Sequence, residues 1–183
     1  MIEIRWHGRG GQGAVTAAVL LAQAAINEGK YAQSFAEFGP ERRGAPVVAF
    51  TRINDNPIYV RCHIYNPDVV VILAPKLMTT LNVTDGLKKN GCIIINTVKQ
   101  PEEVKAAINF SGLVATVDAT KIALEELNAP IVNTAILGSI VKTTNLVKLE
   151  AVNEALRKRF SGSVAEKNIN AVTRAFKETR IAQ

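Results

Sequence analysis

The run Ile2-Glu3-Ile4-Arg5-Trp6-His7-Gly8-Arg9-Gly10-Gly11-Gln12-Gly13-Ala14 decides how this chain folds. Ile2, Ile4 and Trp6 alternate with polar residues, so they share one face of a β-strand. Four glycines between positions 8 and 13 permit a tight turn with its backbone exposed. Ala14 to Glu28 is rich in Ala, Val and Leu and reads as a helix that stops at Gly29. A strand, a glycine turn and a helix in immediate succession aim the unbonded N–H groups of the helix start at an anion.

Working outward, Tyr31 to Phe38 reads as a second strand, followed by an irregular stretch, Glu37-Phe38-Gly39-Pro40-Glu41-Arg42-Arg43-Gly44-Ala45-Pro46. Val47 to Ile53 and Ile58 to Ile64 are β-rich runs joined by Asn54-Asp55-Asn56-Pro57, which predicts a hairpin. The apolar runs Val69 to Leu73 and Cys92 to Ile95 have the composition of strands covered on both faces, central in a parallel sheet. Lys76 to Lys89 is helical in composition, with Gly91 as a stop. Pro101, Glu102 and Glu103 open a further helix, with proline in the first turn and acids at the positive dipole end. Leu113 to Val117 gives another strand, and Asp118 is placed to cap a helix running to Leu127.

Beyond Pro130 the pattern is wholly helical. Ile136, Ile140 and Val141 mark one apolar face, Leu149, Val152, Leu156 and Phe160 a second, and Ala165, Ile169, Val172 and Phe176 a third, entered through a capping box at Ser163 and Glu166. The expected architecture is a layered α/β domain spanning residues 1–183: a mostly parallel sheet with helices on both faces, a β-hairpin insertion and a helical C-terminal third.

At 183 residues, 48% of them hydrophobic, the chain can bury a core of its own, yet no apolar run approaches the ~18 residues of a membrane span. The N-terminus opens on a strand pattern instead of an export signal, so a soluble cytoplasmic protein is expected. The net charge of +6 is concentrated late, with nine Lys/Arg against four Glu from Lys142 onward. Aromatics make up only 5% and no recognition motif accompanies the basic residues, which argues against nucleic acid and for an acidic partner subunit or an anionic ligand. Cys62 and Cys92 have no partner at metal-ligand spacing; both are expected to act as small buried apolar residues.

Gly8, Gly10 and Gly13 satisfy the G-x-G-x-x-G spacing, and Glu37 lies near the end of the second strand, where a dinucleotide-binding fold keeps an acid for the ribose. A nicotinamide or flavin site is therefore one reading. Arg9 inside the loop, the Pro/Gly/Arg setting of Glu37 and the following hairpin count against it. No Gly-Lys-Ser/Thr follows the loop, which disfavours a nucleoside triphosphatase. Arg9, Arg42 and Arg43 converge if the loop after the second strand folds beside the loop after the first, and guanidinium groups fit phosphate oxygens in a bidentate way. A solvated loop whose arginines pair with Glu37 and Glu41 is the competing reading. Gln12 is placed to reach a ligand or an interface. His7 adjoins the loop, but nothing orients it as a general base, and a hydrogen-bonded structural role is expected. No catalytic triad, carboxylate pair or metal cluster emerges, so the chain reads as a binding module.

Three stretches carry a family resemblance: Ile4 to Gly13, Phe38-Gly39-Pro40-Glu41-Arg42-Arg43-Gly44-Ala45-Pro46-Val47, and Asn133-Thr134-Ala135-Ile136-Leu137-Gly138. Together, and in this order, they resemble the gamma subunit of pyruvate (2-oxoacid):ferredoxin oxidoreductase. The resemblance implies a subunit, inactive alone, of an enzyme that oxidatively decarboxylates a 2-oxoacid, passes electrons to ferredoxin and releases acyl-coenzyme A. It implies alpha, beta and delta partner subunits, with thiamine diphosphate, Mg and [4Fe-4S] clusters held there. It also implies that this domain helps to receive coenzyme A, with Gly8, Arg9, Gly10, Gly11, Gln12, Gly13, Arg42 and Arg43 as the residues toward its phosphates. A free-standing NAD- or NADP-dependent dehydrogenase is the alternative, in which the arginines would hold a 2′-phosphate.

Overall fold

The computed structural model describes residues 1–38 and 45–182. Its elements run β1 (Ile2–Arg9), α1 (Ala14–Asn27), β2 (Tyr31–Phe38), β3 (Pro46–Asn54), β4 (Val69–Ile72), α2 (Leu77–Thr80), β5 (Cys92–Asn96), α3 (Pro101–Ile108), β6 (Leu113–Val117), α4 (Ala119–Leu127), α5 (Ala135–Thr144), α6 (Leu149–Arg159), α7 (Gly162–Glu178) and β7 (Arg180–Ala182). Among the described residues, seven strands form one sheet in the order β2-β3-β1-β4-β5-β6-β7. β1, β4, β5 and β6 are mutually parallel, while β3 and β7 run against their neighbours. The expected layered, mostly parallel α/β sheet with helices on both faces is thus the architecture found.

The period-2 pattern of β1 sorts the two faces. Ile4 and Trp6 are fully buried in a large core with α1, α4, α5, α6 and α7, and the Trp6 indole donates to Thr51 Oγ1 at 3.0 Å. The opposite face of β4, β5 and β6 is covered by a smaller core that includes Leu77 of α2 and Val104 of α3. Val70, Ile72, Ile93 and Ile95 point one way and Val71 and Ile94 the other, which is why these strands read as continuous apolar runs. Asp118 caps α4 as expected, accepting from the Lys121 N–H at 3.0 Å.

Five local expectations fail. Ile58 to Ile64 is not a strand, because both edges of β3 are already taken, by β2 on one side and β1 on the other. The antiparallel hairpin is instead β2–β3, and the 58–64 segment lies in irregular form, held by Arg52 donating to the Cys62 carbonyl at 2.7 Å and Gln33 to the Ile58 carbonyl at 3.0 Å.

Lys76 to Lys89 contains only the short α2. Beyond it, Thr84 bonds to the Asn82 side chain, and the carbonyls of Val83 and Asp85 accept from the buried Arg5 guanidinium in place of helix N–H groups.

The capping box at Ser163 and Glu166 does not form. The helix begins two residues earlier, at Gly162 with Ser161 in the cap position, and Glu166 pairs with Arg157 at 3.2 Å. The C-terminal third also ends on a strand, β7, antiparallel to β6. Cys62 is exposed, contrary to expectation, whereas burial of Cys92 pushes its thiol pKa up to about 12.

Candidate functional site

The carboxyl ends of parallel strands, where a sheet's connections diverge, form the crevice in which open α/β sheets take ligands. Here a cavity of about 490 Å3 sits at that end, lined by Arg9 and Gln12 of the glycine turn, Ala74 to Lys76 after β4, Asn96 to Val98 after β5, and Asp118 and Thr120 at the start of α4. Asn96 builds its floor. Its Nδ2 donates to the Leu73 carbonyl and to Thr120 Oγ1, both at 2.9 Å, and its Oδ1 accepts from the Thr120 N–H at 3.1 Å. Asn96 thereby ties β4, β5 and α4 together. In the sequence its only signal is a lone amide ending the run Cys92-Ile93-Ile94-Ile95, and it is not among the residues expected at the site.

Gly13 occupies the cap position of α1 with φ 78°, a left-handed conformation, and its carbonyl accepts from the Ala17 N–H at 2.9 Å. A Cβ at Gly13 would lie 2.5 Å from Asn133 Nδ2, so the position excludes side chains on two grounds. The turn is tied down from within. The Arg9 N–H donates to Gln12 Oε1 at 2.7 Å, the Gln12 N–H to the Arg9 carbonyl at 3.0 Å, and the Gly10 N–H to the Ala45 carbonyl at 2.9 Å. Three loop donors are therefore engaged inside the protein. The N–H groups at the start of α1 are those its geometry presents to an anion.

Arg42 and Arg43 lie outside the described residues, as does Glu41. The contact of Gly10 with Ala45 and the pairing of Arg9 with Pro46 bring the end of that loop to the glycine turn. The approach is made through the antiparallel β3 and not through a parallel second strand. The same topology removes the ribose acid of a dinucleotide site. β2 stands two places from β1, and the Glu37 carboxylate is directed to His63, 3.6 Å away.

His7 faces the opposite side of the sheet from Trp6. Its Nε2 accepts from Arg5 Nε at 3.1 Å, the hydrogen bond expected of it, while Nδ1 is buried with no partner among the described residues. Burial first, and the Arg5 charge second, lower its pKa to about 4 from an ordinary value near 6.5. The unfolded chain takes up this proton at a higher pH than the folded chain does, so stability is complete above pH 6.5 and falls as the pH drops toward 4. The full effect is on the order of 3 kcal/mol. Denaturant titrations at pH 7 and pH 4.5 should therefore show a loss about 2 kcal/mol larger in the wild-type chain than in His7→Gln, whose amide oxygen can still accept from Arg5. Equal losses in the two proteins would mean that His7 is not held neutral.

The third sequence motif supports the turn and takes no part in the crevice. Asn133 packs on Gly13, Thr134 donates to Asn168 Oδ1 at 2.7 Å, and Gly138 lies against the backbone of α7. No helix among the described residues is long and apolar enough to cross a membrane.

A mostly parallel α/β sheet whose first strand runs through a glycine turn into α1, with a crevice at its strand ends, is the architecture in which these motifs sit. Residues 3–178 match the pyruvate ferredoxin/flavodoxin oxidoreductase family, and the chain belongs to it, as a gamma-type subunit of such an enzyme. It is 59% identical over 180 residues to the pyruvate/ketoisovalerate oxidoreductases common subunit gamma of Thermococcus kodakarensis, covering 98% of this chain and 97% of that one. The crystal structure of pyruvate oxidoreductase subunit PORC from Thermotoga maritima superimposes with a TM-score of 0.90 at 42% identity, covering 100% of this chain and 98% of the other. The fold also recurs, at 18% identity and a TM-score of 0.79, in the 2-oxoglutarate:ferredoxin oxidoreductase of Magnetococcus marinus with 2-oxoglutarate, coenzyme A and succinyl-CoA bound. That match covers 96% of this chain and 30% of that one.

Proposed function

We propose that this chain is the coenzyme A-facing subunit of an oxidoreductase that decarboxylates pyruvate, or a related 2-oxoacid, to an acyl-coenzyme A with electrons passed to ferredoxin. The observation that carries this reading is the crevice itself, where Arg9 and Gln12 stand at the carboxyl ends of β1, β4 and β5 on the turn that leads directly into α1. Phosphates of the coenzyme lie against the first turn of α1 and the Arg9 side chain, with Arg42 and Arg43 supplying further charge from the adjoining loop. The solved Magnetococcus marinus enzyme, which shares the fold and holds coenzyme A, supports this choice of ligand.

Redox chemistry belongs to the partner subunits in this reading. A [4Fe-4S] cluster takes four thiolates, and this chain has two cysteines, one exposed and one on β5. Thiamine diphosphate, its Mg and the clusters are accordingly assigned to the alpha, beta and delta chains, where they supply decarboxylation and electron transfer. The residues of this chain bind and orient an anion and perform no bond-breaking step, so the isolated subunit is inactive.

Substituting both Arg42→Ala and Arg43→Ala in the assembled enzyme should raise the KM for coenzyme A roughly tenfold or more, with the KM for the 2-oxoacid unchanged. Impaired assembly with an unaltered coenzyme A KM would make the loop a subunit interface and refute a ligand role.

A further inference from the structure

A second cavity, of about 420 Å3, lies on the helical side of the sheet, where the corner between α6 and α7 meets the segment that follows α4. Leu127, Ile131, Phe160 and Val164 form apolar walls, and Ile131 and Val164 are each about half exposed, at 44% and 51%. Arg159 and Lys167 stand in the same lining. Their neighbours Arg157 and Lys158 pair with Glu166 and Glu154, whereas neither Arg159 nor Lys167 has a carboxylate partner among the described residues. The Arg159 guanidinium sits 6.0 Å from the centroid of the Phe160 ring, so its charge borders the apolar wall. No acidic residue lines the cavity.

Asn133, 9% exposed, also lines the cavity, and its Oδ1 accepts from the Thr134 N–H. Apolar walls and two cations without counter-ions are together complementary to an amphiphilic anion.

We propose that this cavity binds a small organic anion with an apolar body, its carboxylate or phosphate held by Arg159 and Lys167. The site is separate from the crevice assigned to coenzyme A, since it opens among helices and shares no lining residue with it. It is one side chain away from the glycine turn, because Asn133 also packs on Gly13. A bound anion therefore touches the residue that supports the coenzyme-facing loop.

The test uses the full chain and two fluorescent probes of nearly equal shape. These are 1-anilinonaphthalene-8-sulfonate, which is anionic, and N-phenyl-1-naphthylamine, which is not. The anionic probe should bind saturably at one site. Arg159→Ser with Lys167→Ser should weaken it about tenfold while changing the neutral probe less than about twofold. Ile131→Asp, at an exposed wall position, should weaken both, with circular dichroism reporting that the fold is kept. Octanoate or octyl phosphate should displace the anionic probe, and which is stronger separates carboxylate from phosphate as the natural head group. Unchanged affinity in the double variant, or displacement by octanol as effective as by octanoate, would overturn the anionic requirement. Competitive displacement by coenzyme A would overturn the separateness of the site and leave the crevice reading to be judged by its own kinetic test.

Discussion

Replacing Gly138 with alanine should destabilise the chain by about 3 kcal/mol or more. A Cβ at this position would sit 2.0 Å from the Val172 carbonyl oxygen and 2.7 Å from the Phe176 nitrogen. Both are backbone atoms of α7, so no rotamer change relieves the clash and the two helices must separate. Separation would pull Thr134 from Asn168 and loosen the support beneath Asn133 and Gly13. The sign of the effect is diagnostic. In a helix without such a contact, Gly→Ala stabilises by roughly 1 kcal/mol. Denaturant unfolding that finds Gly138→Ala neutral or more stable would therefore refute the close approach of α5 to α7. Against a typical total of roughly 5–15 kcal/mol, the expected loss leaves a marginal protein.

The second large effect falls on Arg52, which is fully buried and pairs with Glu3 at 2.8 Å while donating to the Cys62 carbonyl. Arg52→Leu should cost about 3 kcal/mol, because it leaves the Glu3 carboxylate and a backbone carbonyl without their donor. The pair itself is not a large source of net stability, since Arg52 Nη1 is buried with no hydrogen-bond partner. Combining Glu3→Leu with Arg52→Leu should accordingly recover most of the loss in a double-mutant cycle. Hydrogen exchange should accelerate across 58–64 in both variants, because Arg52, together with Gln33, fastens that segment to the sheet. Slow exchange there in Arg52→Leu would show that the segment holds without it.

Legibility in the sequence followed the range of the interactions involved. The strand, glycine turn and helix from Ile2 to Asn27 were readable because period, turn residues and helix stop are all local. The central strands β4, β5 and β6 were readable because burial on both faces leaves an unbroken apolar run. Ile58 to Ile64 misled for the converse reason. Its composition suits a strand, but a strand needs a free edge, and β3 has none. Lys76 to Lys89 misled because buried Arg5, far away in sequence, takes the carbonyls that a helix would have used.

The same division holds for the site. The glycine turn was legible as the bend between β1 and α1, and the structure places Arg9 and Gln12 in the crevice at the strand ends. Asn96, Thr120 and the engagement of Asn133 with Gly13 were not, since each depends on contacts across more than twenty residues. The basic C-terminal helices were visible as a surplus of positive charge. Only their folding against the 127–133 segment turns two of those cations toward an apolar cavity.

By itself the sequence determined the class of fold, the strand-turn-helix and the family signature, because these rest on short-range periodicity and residue type. Tertiary structure alone decided that β3 enters between β2 and β1. That insertion carries Glu37 away from any ribose and brings Ala45 to Gly10, and strand order is settled by which edges remain free to pair, a property of the assembled sheet that no local stretch of sequence contains.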